Sequence, residues 1–199
     1  MTTTTWDLRE HTAETLWTLC CSSLDAAVQS AKHPFHFLTV ASLADAQTPT
    51  SRTVVLRNFD ANLAEITFHT DSRSPKVSQL RRYPVVHLLW YAPVLRLQIR
   101  ATATAVLHQQ DDRARAAWDQ ARCTSRACYS TASPPGDPVA GFSEAPAIPQ
   151  ADDDRGLIHF AVVACRFRQL EVLALHASGH QRVRLAVPAR PITWELLAP

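Results

Sequence analysis

The sequence predicts a mainly β, α+β fold: an antiparallel barrel with flanking helices, formed as a single domain over residues 1–199. Three observations predict it. Extended patterns outnumber helical ones and follow one another directly, without the regular strand–helix alternation that builds a parallel sheet. Residues 95–107, LRLQIRATATAVL, alternate cleanly: Leu97, Ile99, Ala101 and Ala103 face one way, and Arg96, Gln98, Arg100 and Thr102 the other. A chain of 199 residues, 46% hydrophobic and 19% charged, is long enough for one well-buried core.

The elements follow in order. Residues 1–5 read as a loose tail. From Trp6 to Ala31 the apolar residues Leu16, Leu19, Leu24, Ala27 and Val28 recur at helical spacing, and Pro34 ends that helix. Strands are expected at 35–43, 52–59 and 65–70, the second β-branched and apolar between two arginines. A short helix follows from Ser74. Its serine oxygen is placed to accept an orphan backbone N–H, and Pro75 at the first turn has no N–H to leave unsatisfied. Strands at 85–91 and 95–107 lead to a helix around DDRARAAWDQA, capped by Asp111 or Asp112. Residues 131–155, rich in Pro, Ala and Asp without periodicity, form a long loop. The apolar run 157–175 is read as two strands, followed by strands at 181–187 and 192–198.

Composition removes several functions. The net charge of +2 demands neither nucleic acid nor a membrane surface, and no run of about 18 apolar residues is present. A basic face of Arg96, Arg100 and Arg182 exists, but no aromatic stacking platform accompanies it on those strands. The five cysteines are odd in number and contain no CxxC, so reduced thiols are expected. His176 and His180 stand four apart, but Ser178 and Gly179 between them favour a turn, and no further ligands complete a metal site. MTTTTWDLRE lacks the pattern of a secretory signal, and the expected compartment is the cytoplasm.

The chemistry gathers around FHTDSRSPK (68–76). With only four glycines in the chain, at 136, 141, 156 and 179, a glycine-rich phosphate cradle is excluded. If strands 52–59 and 65–70 form a hairpin, Arg52 comes beside Thr70. Lys76, the hydroxyls of Ser72 and Ser74, and a helix N-terminus then lie close by. That set suits a phosphate dianion. On the residues alone the favoured reading is a solvated, charged hairpin end with an ordinary helix cap.

RTVVLR (52–57), FHTDSRSPK, LLWYAP (88–93) and the GHQRVRL tail followed by Trp194 and a final LAP resemble the pyridoxamine 5'-phosphate oxidase-like FMN-binding split-barrel family. The resemblance runs in order from about residue 33 to the C-terminus. It implies a split β-barrel homodimer with FMN at the subunit interface, and an oxidoreductase acting on a small molecule. By this resemblance Arg52 grips the FMN phosphate, and the backbone of Val54, Val55 and Leu56 lies along the flavin. His69 and Thr70 match a Tyr-Thr pair beside the cofactor, and Ser74 and Lys76 match a Ser-Arg-Lys phosphate motif. Arg182 matches a late arginine near the flavin, and Ser125 and Arg126 lie in a further contact stretch. Arg57 and His180 are the substrate-side candidates.

The departures are specific. Pro75 replaces the motif arginine, with Arg73 two residues away. Arg96 stands where the oxidase has a flavin-contacting glutamine, and Gln98 takes that role only after a register change. Leu173 replaces a flavin-side tryptophan, and Ser178 replaces an arginine that contacts the substrate. The last change leaves open a second reading, a flavin- or ligand-binding protein without turnover.

Overall fold

In the computed structural model, residues 6–141, 150 and 153–199 are described. The expected tail over 1–5 and part of the expected 131–155 loop lie outside them. Helix α1 (Ala13–Gln29) opens on a capping box in which Thr12 and Thr15 satisfy each other's backbone N–H. It buries Leu16, Trp17, Cys20, Leu24 and Ala27. The stripe expected from the sequence is therefore shifted: Trp17 and Cys20 are inside, while Leu19 and Val28 lie at its margin.

The strands are β1 (Phe37–Leu43), β2 (Pro49–Val55), β3 (Asn58–Asp60), β4 (Glu65–Asp71), β5 (Val85–Ala92), β6 (Leu97–His108), β7 (Phe160–Ala174), β8 (Gln181–Ala186) and β9 (Thr193–Leu197). They pair antiparallel in the order β2-β1-β5-β6-β7-β4-β3, with β8 on β7 and β9 on β8. Because β2 and β3 are consecutive parts of one segment, both ends of this path are the same piece of chain. The sheet curls into a barrel, and the segment changes partner from β1 to β4 at Leu56 and Arg57. The Leu56 N–H donates to His36 O, and the Arg57 N–H donates to Thr67 O.

Two expectations need correction here. The expected 52–59/65–70 hairpin pairs only from Asn58–Asp60 to Glu65–Thr67. Arg52 pairs instead with Val40 on β1, and a wedge opens between β2 and the far half of β4. The run 157–175 is not two strands but the single 15-residue β7. Its register against β6 slips at Thr102/Ala103, where Gln169 and Phe167 are successive partners and Arg168 is passed over. This bulge bends β7. Before it β7 pairs with β4, and after it with β8.

Helix α2 (Pro75–Arg82) bridges β4 to β5, and α3 (Asp112–Gln120) and α4 (Cys123–Arg126) follow β6. Of the two candidate caps for α3, Asp111 is the one used: its carboxylate accepts the Ala114 N–H. The main core fills the barrel and runs under α1. A smaller cluster of Ala114, Trp118, Phe160 and Val162, with Tyr129 packed on it, fastens α3 to β7. No helix among the described residues is long and apolar enough to cross a membrane.

Candidate functional site

The wedge between β2 and β4 is a cavity of about 360 Å³, lined by Arg52, Thr53, Val54, Val55, Arg57, His69, Thr70, Lys76 and Tyr129. Its cationic end is built by three elements. Arg52, on β2, donates from Nη1 to Ser42 Oγ at 2.7 Å and Val40 O at 3.3 Å. From Nη2 it reaches Thr50 Oγ1 and Gln79 Oε1, both at 3.4 Å. Lys76, in the first turn of α2, donates from Nζ to Ser74 Oγ at 2.6 Å and to Thr70 Oγ1 at 3.1 Å. Ser74 thus differs from its expected role: its side chain makes no cap bond and holds the lysine instead.

The electrostatics of this end are unusual. Burial, then the Arg52 charge, holds the Lys76 ammonium below the ordinary lysine value, against the pull of Asp71. Burial also lowers Arg52. The hydrogen bonds of both cations go to hydroxyls, a carbonyl and an amide, and none to a carboxylate among the described residues. The nearby Asp71 is occupied by Arg73, at 2.7 Å from Nη2, and Arg73 also donates to Thr131 O. Arg73 therefore faces the 131 loop in this structure. Two half-buried cations of like charge beside a helix N-terminus are chemically suited to receive an anion.

The opposite wall is aromatic. The His69 ring packs edge-on to Phe160, with centroids 4.8 Å apart. Burial, with the Arg57 charge, pushes its pKa down to about 4, so the imidazole is neutral near pH 7. Tyr129 packs on Phe160 and Trp118 at 5.0 and 6.0 Å. Burial raises its pKa, so the phenol keeps its proton. Arg57 is exposed at the same cavity. Sequence reasoning missed Thr53 and Tyr129, and the only signal for the latter was an aromatic in the SRACYS stretch.

Other expected residues lie elsewhere. Leu56, expected to contribute through its backbone, turns its side chain into the core directly after Val55. Ser125 sits in α4. The buried Arg126 guanidinium lies 5.1 Å over the Trp118 ring and donates to Asp119 O, bracing α3 against α4. Arg96 is exposed in the β5–β6 turn with φ of 47°, while Gln98 pairs with Tyr91 and Leu173 on the outer sheet face. Leu173 in turn pairs with Arg182. His180 and Arg182 line a second cavity of about 380 Å³ with Leu8, Trp194 and Leu197.

Residues 17–109 match the family model described as pyridoxamine 5'-phosphate oxidase, FMN-binding domain. This stretch is similar to the FMN-binding domain of that family and makes up just under half of the chain. A curated relative, pyridoxine/pyridoxamine 5'-phosphate oxidase 2 of Arabidopsis thaliana, is 33% identical over 70 residues. That match spans 34% of this chain and 35% of the relative, about a third of the relative's length. The fold is also that of a pyridoxamine 5'-phosphate oxidase-related, FMN binding protein from Nostoc punctiforme. The TM-score there is 0.76 and the identity 23%, over 92% of this chain and 97% of that one. PhzG from Burkholderia lata, solved in complex with tetrahydrophenazine-1-carboxylic acid, aligns with a TM-score of 0.70 at 16% identity, over 94% and 93% of the two chains. The barrel therefore has the split-barrel fold of these neighbours, and the stretch 17–109 matches a domain described as FMN-binding. The Arg52–Lys76 pair fits the phosphate of FMN: its hydrogen bonds reach no carboxylate among the described residues, and burial lowers the pKa of both cations.

Proposed function

We propose that the protein is a cytoplasmic, single-domain, FMN-dependent oxidoreductase that works as a homodimer on a small molecule. The observation that carries this reading is the half-buried Arg52–Lys76 pair at the N-terminus of α2, in a cavity walled by β2 backbone. Arg52 and Lys76 neutralise the FMN phosphate, and the Thr70 and Ser74 hydroxyls aim the ammonium. The β2 segment from Thr53 to Val55 supplies backbone along the ring.

The homodimer is supported by the spacing of the two half-sites. Arg52 on β2 and Arg182 on β8 lie on strands that do not pair with each other, and they line separate cavities. No residue lines both cavities. If one FMN meets both Arg52 and Arg182, the separation of the two cavities supports a second copy as the source of Arg182. Phe37 and Tyr91, 52% and 49% exposed, lie on the face between, and a second copy would cover them.

FMN, when bound, supplies two-electron redox chemistry, and the protein supplies orientation and charge. Arg57 offers a fixed cation to an anionic group of the substrate. His69, neutral near pH 7, hydrogen-bonds but does not store a proton. The Tyr129 phenol donates a hydrogen bond and is no base. His180 and Arg182, from the second cavity, complete the substrate side across the interface. A second reading, FMN binding without turnover, is favoured by Ser178, an exposed residue where the oxidase carries its substrate-contacting arginine.

The test is an absorption spectrum of the purified protein with the mass of the released chromophore, followed by anaerobic addition of candidate reductants. Pyridoxamine 5'-phosphate and tetrahydrophenazine-1-carboxylic acid come first. A flavin spectrum that bleaches with a substrate is expected. A colourless protein that takes up no added FMN would overturn the assignment, and bound FMN that no substrate bleaches would favour the second reading.

A further inference from the structure

On the outer face of β6, β7 and β8 one carboxylate gathers three arginines. Glu171 has a side chain only 8% exposed, although it stands on the outward face. Its Oε2 accepts from Arg100 Nη2, from Arg182 Nη2 at 2.6 Å and from Arg182 Nε at 3.2 Å. Its Oε1 accepts from Arg184 Nε and Nη2 at 3.1 and 3.0 Å, and from Gln169 Nε2 at 3.1 Å. The register explains the convergence: Arg100 and Arg184 are the cross-strand partners of Glu171 on either side, and Arg182 is two residues along β8 on the same face. Arg182 is thus gripped along its Nε–Nη2 edge, and its Nη1 is left without a hydrogen-bond partner among the described residues.

A guanidinium on a long flexible stem loses rotamer freedom when it meets a ligand, and a fork already held by a buried carboxylate loses less. Arg184 is further tied to Glu195 at 2.9 Å, so of the two β8 arginines Arg182 keeps the open end. We propose that Glu171 is a positioning residue: it clamps Arg182 so that Nη1 is presented to the flavin held by the other copy. This rests on the proposed function above.

The experiment is a double-mutant cycle on the full chain: wild type, Glu171→Gln, Arg182→Gln and the double variant. Two readouts are the FMN dissociation constant, from quenching of flavin fluorescence, and the midpoint potential of the bound flavin. Glu171→Gln is expected to weaken FMN about tenfold. In the Arg182→Gln background the same change is expected to add nothing. Both single variants are expected to move the potential in the negative direction, since Arg182→Gln removes the cation beside the reduced, anionic ring and Glu171→Gln releases that cation from its fixed place. Additive losses, tighter FMN binding, or a positive shift in Glu171→Gln would overturn the proposal, because a carboxylate acting only as background charge gives the last two. Should Glu171→Gln not fold, Arg100→Gln keeps the question decidable. It leaves the Glu171–Arg182 fork intact, so FMN affinity is expected within about twofold of wild type, and a loss equal to that of Arg182→Gln would overturn the clamp. A wild type that binds no FMN defeats the parent reading and this one together; a wild type that binds it, with additive effects, defeats only the clamp.

Discussion

Mild acid is expected to destabilise the fold through His69. The ring lies against Phe160 inside the cavity wall, and its pKa is pushed to about 4 by burial and by Arg57. In the unfolded chain an imidazole titrates near about 6.5. Between these values the unfolded chain binds a proton that the folded chain refuses, so stability rises with pH through this window and is flat above it. At pH 5 the difference amounts to about 2 kcal/mol, a large share of a domain's total. Glu171, held at about 2 by its arginines, stays ionised in the folded chain over the same interval and adds little. The assay is urea unfolding near about pH 7.5 and about pH 5, at matched FMN occupancy, for wild type and His69→Gln. Wild type is expected to lose about 2 kcal/mol more than the variant on acidification. Parallel losses in the two proteins would refute the argument, and with it the claim that His69 is neutral in the site.

Three other outcomes are expected. Lys76→Met removes one charge-assisted contact worth about 1.5–3 kcal/mol, so FMN binding should weaken about ten- to a hundredfold while riboflavin, which has no phosphate, is little affected; fluorescence titration with both ligands checks this. Gly156→Ala would place a Cβ 2.9 Å from Trp118 Cη2 and 3.0 Å from Ser130 Oγ and Tyr129 Cβ. It should cost roughly 1–3 kcal/mol in unfolding measurements and disturb the Tyr129 wall, weakening FMN as well. Tyr91→Glu puts a charge on the exposed outer face and should yield a monomer in sedimentation that has also lost FMN.

The fold was legible where period and partner agree. β6 shows period two because one of its faces packs the core and the other faces outward, and all four residues expected inward are buried. β7 was not legible in the same way. Phe160 to Cys165 are buried on both faces because α3 covers one side, so the run has no alternation from which to count strands. The bulge at Arg168 then gives the pattern of a break without breaking the strand. The same difficulty hid the partner change at Leu56–Arg57: an apolar run reads alike whether its neighbour is β1 or β4.

The site divides along a similar line. Arg52, His69, Thr70 and Lys76, which sequence reasoning grouped by their chemistry, line one cavity, although the hairpin expected to join them does not extend that far. Tyr129 could not be placed, because its position depends on Trp118 and Phe160, more than ten and about thirty residues away in sequence, and on a glycine that allows the three to meet. The alternative between Arg96 and Gln98 turned on backbone geometry: a tight turn after Pro93 puts Arg96 in the left-handed region and starts the strand at Leu97. Gln98 is thereby the residue in line with Leu173 and Arg182. In the proposed dimer a side chain on that line would meet the flavin of the other copy, so Gln98→Ala is expected to weaken FMN while the protein stays dimeric in sedimentation, and unchanged FMN affinity would refute the contact.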